Sequence, residues 1–155
     1  MRDIPPVPIT AQQFQLLSSP IRLRILHVLA SEPKTAKQVA DEMGETRGSV
    51  HYHIQRLVEG GLVELTETRQ AGSITEKYYG SRGTRFTRGD GATRQAGQLS
   101  VITWLSLSLQ DAEELLRQID VVLQAWEQRR PKGDARDYQV AFRLTPAGDA
   151  KDGAS

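Results

Sequence analysis

Apolar residues recur every three to four positions through the first third of the chain, and this spacing predicts a series of short, separately capped helices. The clearest stretch runs from Thr35 to Gly61. Thr35 and Gln38 form a capping box, Ala36, Val39, Ala40 and Met43 share one face, and Gly44 supplies the left-handed residue that stops the helix. Thr46 caps the next helix, which places Val50, Ile54 and Leu57 at i, i+4 and i+7 before Gly60 and Gly61 end it. Two helices joined by so short a glycine turn must cross sharply, as in a helix-turn-helix. Upstream, Thr10 and Gln13 repeat the capping box, with Ile9 and Phe14 as a hydrophobic staple. Ser19-Pro20 opens a second helix striped by Ile21, Ile25, Val28 and Leu29, and Pro33 ends it. Residues 1–9, with Pro5, Pro6 and Pro8, read as an extended N-terminal arm.

After Gly61 the period falls to two. Leu62 to Arg69 and Ile74 to Ser81 are predicted strands, and the link Gln70-Ala71-Gly72-Ser73 closes them into a hairpin. A hairpin directly after a helix-turn-helix is a wing, so residues 10–81 make one winged helix-turn-helix domain. Residues 82–98 set Arg82, Arg85, Arg88 and Arg94 among glycines and read as a basic, glycine-rich linker. A strand over 99–107 follows. Ser108 with Asp111 then caps a long helix to Arg130, striped by Leu115, Ile119, Val122 and Trp126 and widened by Leu116 and Leu123, with Glu113 and Arg117 as an i, i+4 pair. Tyr138, Val140, Phe142 and Leu144 alternate as a last strand, and residues 146–155 read as a disordered tail. The fold class is therefore α+β: a winged helix-turn-helix followed by a small strand-helix-strand unit over 99–145. That unit carries more apolar surface than a helix and two strands can cover. Leu115, Ile119, Val122 and Trp126 are accordingly assigned to homodimerisation, the competing reading being that they pack on their own two strands.

The candidate chemistry lies on the helix from Arg47 to Glu59. At about 100° per residue, Gly48, Ser49, Tyr52, Gln55 and Arg56 point away from its apolar stripe, with Arg47 and His51 at the flanks. Residues 46–58 contain no carboxylate. An ordinary solvated face mixes Glu with Lys; this one would tolerate phosphate. Arg47, Tyr52 and Gln55, with Ser49 and His51, are candidates for reading base edges in a major groove wide enough for one helix. Arg56 and, beside the hairpin tip, Arg69 and Lys77 are candidates for backbone contacts. The bland alternatives are a solvated helix and a plain structural hairpin.

Composition narrows the picture by exclusion. The 155 residues are 38% hydrophobic and 25% charged, with a net charge of +1, the profile of one globular domain or one small domain and an appendage. No apolar run approaches the roughly 20 residues of a membrane helix, and the N-terminus does not read as a signal peptide, so the expected location is cytoplasmic. The absence of cysteine removes thiolate metal sites and disulfides. His51 and His53, two apart on a helix, diverge by about 200° and cannot chelate one ion within a chain, and His27 stands alone. With no cysteine nucleophile and no glycine-rich phosphate loop after a strand, nothing indicates an enzyme or a bound cofactor. Trp104 and Trp126 are candidates to line an effector pocket, though aromatic residues in such stripes are more often core.

The motif Leu17-Ser18-Ser19-Pro20-Ile21-Arg22-Leu23-Arg24-Ile25-Leu26, the run Val50-His51-Tyr52-His53-Ile54 with Leu57, the step Gly60-Gly61-Leu62-Val63 and the strand Lys77-Tyr78-Tyr79 together resemble the ArsR-like winged helix-turn-helix transcriptional regulators of bacteria and archaea. The resemblance covers about residues 10–81. It implies that the helix Arg47 to Glu59 enters the major groove of double-stranded DNA, that the hairpin is the wing, and that the protein binds palindromic operators as a homodimer. It also places His53 where the family often packs a histidine at a helix interface. The lack of cysteine sets the chain apart from the metal-sensing members. Reuse of the winged helix for protein–protein or RNA contact is the alternative function. The sequence names neither an operator nor a small-molecule effector.

Overall fold

A computed structural model describes residues 5–89 and 100–146. Its helices begin where side chains satisfy their first amides. Thr10 and Gln13 close a reciprocal capping box on α1 (Ala11–Leu16), and Thr35 and Gln38 do the same for α3 (Ala36–Met43). Pro20 opens α2 (Pro20–Ser31), and the Thr46 hydroxyl accepts from the Ser49 amide at the start of α4 (Arg47–Glu59). Gly44, at φ 67°, makes the left-handed turn between α3 and α4 that a side chain would strain. The apolar stripes of α2, α3 and α4 converge on one core in which Leu17, Ile25, Leu26, Val39, Val50, Ile54 and Leu57 are almost fully enclosed.

Two three-stranded sheets frame this core. In the first, β2 (Lys34–Thr35), β4 (Ile74–Ser81) and β3 (Val63–Ala71) lie in that spatial order, all antiparallel. The hairpin turn is tighter than the four-residue link expected: Ala71 pairs with Ile74, and only Gly72 and Ser73 lie between them. Gly72, first in the turn at φ 67°, gives it the pattern of a type II′ turn, whose twist suits the flanking strands. A bulge falls between Leu65 and Glu67, leaving Thr66 unpaired.

The second sheet corrects the reading of the chain ends. Residues 85–88, expected in a basic linker, form β5 (Arg85–Arg88), which pairs in parallel with β1 (Val7–Ile9) and antiparallel with β6 (Val101–Thr103). Phe86 explains it: one large apolar side chain in an arginine-rich run, completely buried in the core. The arm is extended as expected, but it is held as β1, with Ile9 buried. Residues 1–4 of the arm and 90–98 of the linker lie outside the described residues. Of the strand expected over 99–107, the described residues from 100 on form only Val101–Thr103, at the sheet edge.

The chain divides into two compact units, Met1–Trp104 and Leu105–Ser155. The second is built around α5 (Leu109–Glu127), started by a Ser108–Asp111 capping box that also holds the Asp111 carboxyl below the usual carboxylate range. The helix ends at Glu127 instead of Arg130, and Arg129 stacks over the Trp126 ring at 4.2 Å. Arg117 pairs with Glu114, one turn back, in place of the expected Glu113. Residues 138–144 form no strand, and Tyr138, Val140, Phe142 and Leu144 stay exposed. Among the described residues the expected strand-helix-strand unit is therefore a helix followed by a segment without regular secondary structure. In α5, Leu115 and Ile119 are half-buried, Val122 and Trp126 are 55% and 61% exposed, and no residue is fully buried. The described part of the tail expected over 146–155 is Pro146 alone.

Candidate nucleic-acid interface

Burial of Val50, Ile54 and Leu57 fixes the rotation of α4, and so decides which side chains it shows to solvent. Arg47, His51 and Tyr52 are exposed, Tyr52 at 58%, with Gly48 open beside them and Ser49 partly covered by its place at the capped end. These residues form one contiguous patch over the first turns of the helix. Gln55 sits differently. It is half-buried, and its Nε2 donates to the Tyr79 hydroxyl at 3.2 Å, tying α4 to the wing strand β4. Arg56, half-exposed, turns to the other flank, where Nη1 lies 3.4 Å from Glu59 Oε2.

The wing has two chemically different faces, because residues paired across β3 and β4 share a side and successive pairs alternate. Thr68 pairs with Lys77 and Gln70 with Thr75, on the side of Tyr79, whose hydroxyl meets α4. That face holds Lys77 and no carboxylate. The opposite face carries Glu67, Arg69, Glu76 and Tyr78. Arg69 is bound there by Glu67 and stacks over Tyr78 at 4.3 Å; these partners raise its already high proton affinity. The structure thus groups Lys77 with α4 and places Arg69, the other cation at the tip, on the far side of the hairpin, beside Glu32, Lys34 and Gln38.

One participant escaped sequence reading. Arg22, in the first turn of α2, is half-buried against α4; its Nε donates to the Leu16 carbonyl, and its Nη1 approaches His53 Nδ1 at 3.4 Å. Burial lowers the proton affinity of His53 and Arg22 lowers it further, with Glu45 opposing, so this surrounding favours the neutral ring. Tyr52 packs edge-on to the same ring, centroids 5.1 Å apart. A signal was present: residues 4–31 contain no acidic residue, so neither Arg22 nor Arg24 has a carboxylate within reach along its own helix until Glu32.

The α4 end is set by α1. Gln13 Nε2 donates to the Gly60 carbonyl at 2.9 Å, and a Cβ at Gly60 would lie 2.2 Å from Leu16 Cδ1, so any larger residue there would displace the end of the Leu16 side chain. Among the described residues no helix is long and apolar enough to cross a membrane, and no group of three His, Asp or Glu side chains is placed to hold a metal ion.

Known proteins match the helix-turn-helix part of the chain. A helix-turn-helix domain family matches residues 17–66, from the Leu17 motif through α4 into β3. An uncharacterized HTH-type transcriptional regulator of Methanocaldococcus jannaschii is 32% identical over 72 residues, which are 46% of this chain and 75% of that protein. Among solved structures, the solution structure of a homodimeric winged helix-turn-helix DNA-binding domain from Mycobacterium bovis, named a possible ArsR-family transcriptional regulator, aligns with a TM-score of 0.39 at 21% identity over 80% of this chain and 86% of that one. A crystal structure of a possible transcriptional regulatory protein fragment from the same organism aligns with a TM-score of 0.35 at 21% identity, over 73% and 92% of the two chains. With the archaeal relative matched over three quarters of its length, and with the helix-turn-helix followed by its hairpin, the chain belongs to the HTH-type transcriptional regulators.

Proposed function

We propose that the protein binds specific double-stranded DNA sites as a homodimer, laying α4 in the major groove and the Lys77 face of the wing along the backbone or minor groove. The observation that carries this reading is that α4 shows Arg47, Ser49, His51 and Tyr52 to solvent with no carboxylate among residues 46–58, while Gln55, bonded to Tyr79, joins it to the wing face of Lys77, Thr68 and Gln70, which has none either. Arg47 and Tyr52, with Ser49 and His51, read base edges. Gln55 holds the wing to α4 and meets the groove only at its edge. Lys77 and Arg56 hold phosphates, and Arg69, neutralised by Glu67, contributes little.

The dimer follows from the second unit. Leu105, Leu107, Leu109, Val121, Val122 and Trp126 expose between 41% and 79% of their surface, and Leu115 and Ile119 are only half covered. A stable interface needs roughly 800 Å² from each partner, which such a stripe can supply. Two-fold pairing also lets two recognition helices address half-sites about 34 Å apart, multiplying weak single-helix binding.

Sequencing the genomic fragments retained by the purified protein yields the operator, and gel shifts then test the roles. Tyr52→Ala should cost about 1–3 kcal/mol on the operator and little on random DNA, whereas Lys77→Ala should weaken both alike. Leu115→Glu with Val122→Glu should give monomers in light scattering. Fragments sharing no motif, or equal losses for both side-chain types, would refute sequence-specific reading; a double variant that stays dimeric would move the interface elsewhere.

A further inference from the structure

A helix with its side chains is about 10–12 Å across and the major groove about 12 Å wide, so a groove-bound helix meets a sugar-phosphate strand on each flank. On the Gln55 flank of α4 stands the wing with Lys77. The other flank, where α4 faces α1 and α2, is also cationic. Arg22 and Arg56 line one open cleft of about 590 Å³ together with Thr10, Gln12, Gln13 and Glu59. Glu59 is the acid of that cleft, and it pairs with Arg56. Among the described residues no carboxylate forms an ion pair with Arg22, whose partners are the Leu16 carbonyl and the ring of His53. Two guanidiniums against one carboxylate leave a surplus positive charge, partly shielded from water. A phosphate oxygen satisfies it best, since charge-assisted bonds to a planar guanidinium are about twice as strong as neutral ones.

We propose that Arg22 and Arg56 form a second phosphate clamp, gripping the DNA strand on the side of the groove away from the wing. The clamp rests on the DNA-binding reading above. It makes α2, a helix outside the helix-turn-helix proper, part of the contact surface. It also explains why Arg22 is braced at both ends of its guanidinium: a donor fixed by Leu16 and His53 loses little freedom when it meets a phosphate.

Because a backbone contact is independent of sequence, the test uses the full chain and a fluorescein-labelled duplex of random sequence, titrated by anisotropy across a series of KCl concentrations. Each phosphate contact contributes about 0.9 to the slope of log affinity against log salt, which is about eightfold in affinity for each tenfold change in salt. Arg22→Gln and Arg56→Gln should each flatten the slope by about one unit, while Arg22→Lys, which keeps the charge, should retain it. Circular dichroism checks the fold. Where Arg22→Gln is unfolded, Arg22→Met, which keeps the aliphatic stem, and Arg56→Gln decide the matter by the same slope. Unchanged slopes in folded variants, with wild type binding normally, overturn the clamp and leave the groove reading intact. Wild type that binds no duplex at any salt overturns both. If inorganic phosphate raises the melting temperature of wild type but not of Arg22→Gln, with the DNA slope unchanged, the cleft holds a free anion and the clamp is likewise overturned.

Discussion

Replacing Phe86 with alanine measures how far the first unit depends on a segment that reads as linker. The ring is completely buried in the middle of β5, opposite Val7 of β1 on one side and Ile102 of β6 on the other. Val7, Phe14, Leu16 and Ile102 pack against the same core and cannot all collapse into the space vacated, because the first and last are fixed in strands. Lost transfer energy and a residual cavity together put the cost of Phe→Ala at about 3–5 kcal/mol. Against a total stability of roughly 5–15 kcal/mol, this leaves the unit marginal. At roughly 4–8 °C per kcal/mol for a domain of this size, the melting temperature should fall by at least about 12 °C. The urea midpoint should drop by about 1–3 M with little change in slope, as far-ultraviolet circular dichroism would show. A loss below about 1 kcal/mol, the scale of a surface substitution, would mean that β5 is a peripheral tether and that the core closes without it.

Three further outcomes follow from the same contacts. Tyr79→Phe and Gln55→Ala should each cost about 0.5–1.5 kcal/mol, with the double variant costing clearly less than their sum; full additivity in urea titrations would deny the link between wing and α4. Gly60→Ala has only to displace the end of the Leu16 side chain and keeps a helical φ, so it should cost less than about 1 kcal/mol; a loss above about 2 kcal/mol in urea titrations would show that Leu16 cannot move. His53, with its proton affinity lowered in the fold by burial and by Arg22, adds stability that is complete above the unfolded value near pH 6.5 and is lost as pH falls through the lower folded value. His53→Gln should therefore shrink the difference in stability between pH 7.5 and pH 5, and an unchanged difference in urea titrations would rule the group out.

The parts of the fold legible in sequence were those whose causes are local. Each of the boxes at Thr10, Thr35 and Ser108 joins residues three apart, and each is formed. The turn at Gly44 needs one residue of positive φ. Strands depend on partners, and here sequence reading lost ground in both directions. Residues 138–144 alternate as well as any strand in the chain and form none, since alternation says which side is apolar without supplying an edge to pair with. Arg85–Arg88 shows little alternation among its charges, yet it becomes the middle strand of a sheet because Phe86 has a core to enter.

The candidate site shows the same division at the scale of side chains. Helical periodicity placed Tyr52, Gln55 and Arg56 together on the outward face, which is correct for the backbone. What each side chain meets is decided by elements far along the chain. Tyr79, 24 residues on, takes hold of Gln55, and Arg22, 31 residues before His53, reaches the other flank. The wing divides likewise: Arg69 and Lys77 both stand near the tip, but Arg69 lies three positions before the two-residue turn and Lys77 four positions after it, so they belong to adjacent pairs. Arg69 faces Glu76, and Lys77 faces Thr68. A single step of register therefore sends one cation to a face where Glu67 neutralises it and leaves the other on the face shared with α4. On the proposed DNA-binding reading, Lys77→Ala should therefore flatten the salt dependence of binding and Arg69→Ala should not, although the two residues share a charge and nearly the same distance from the tip.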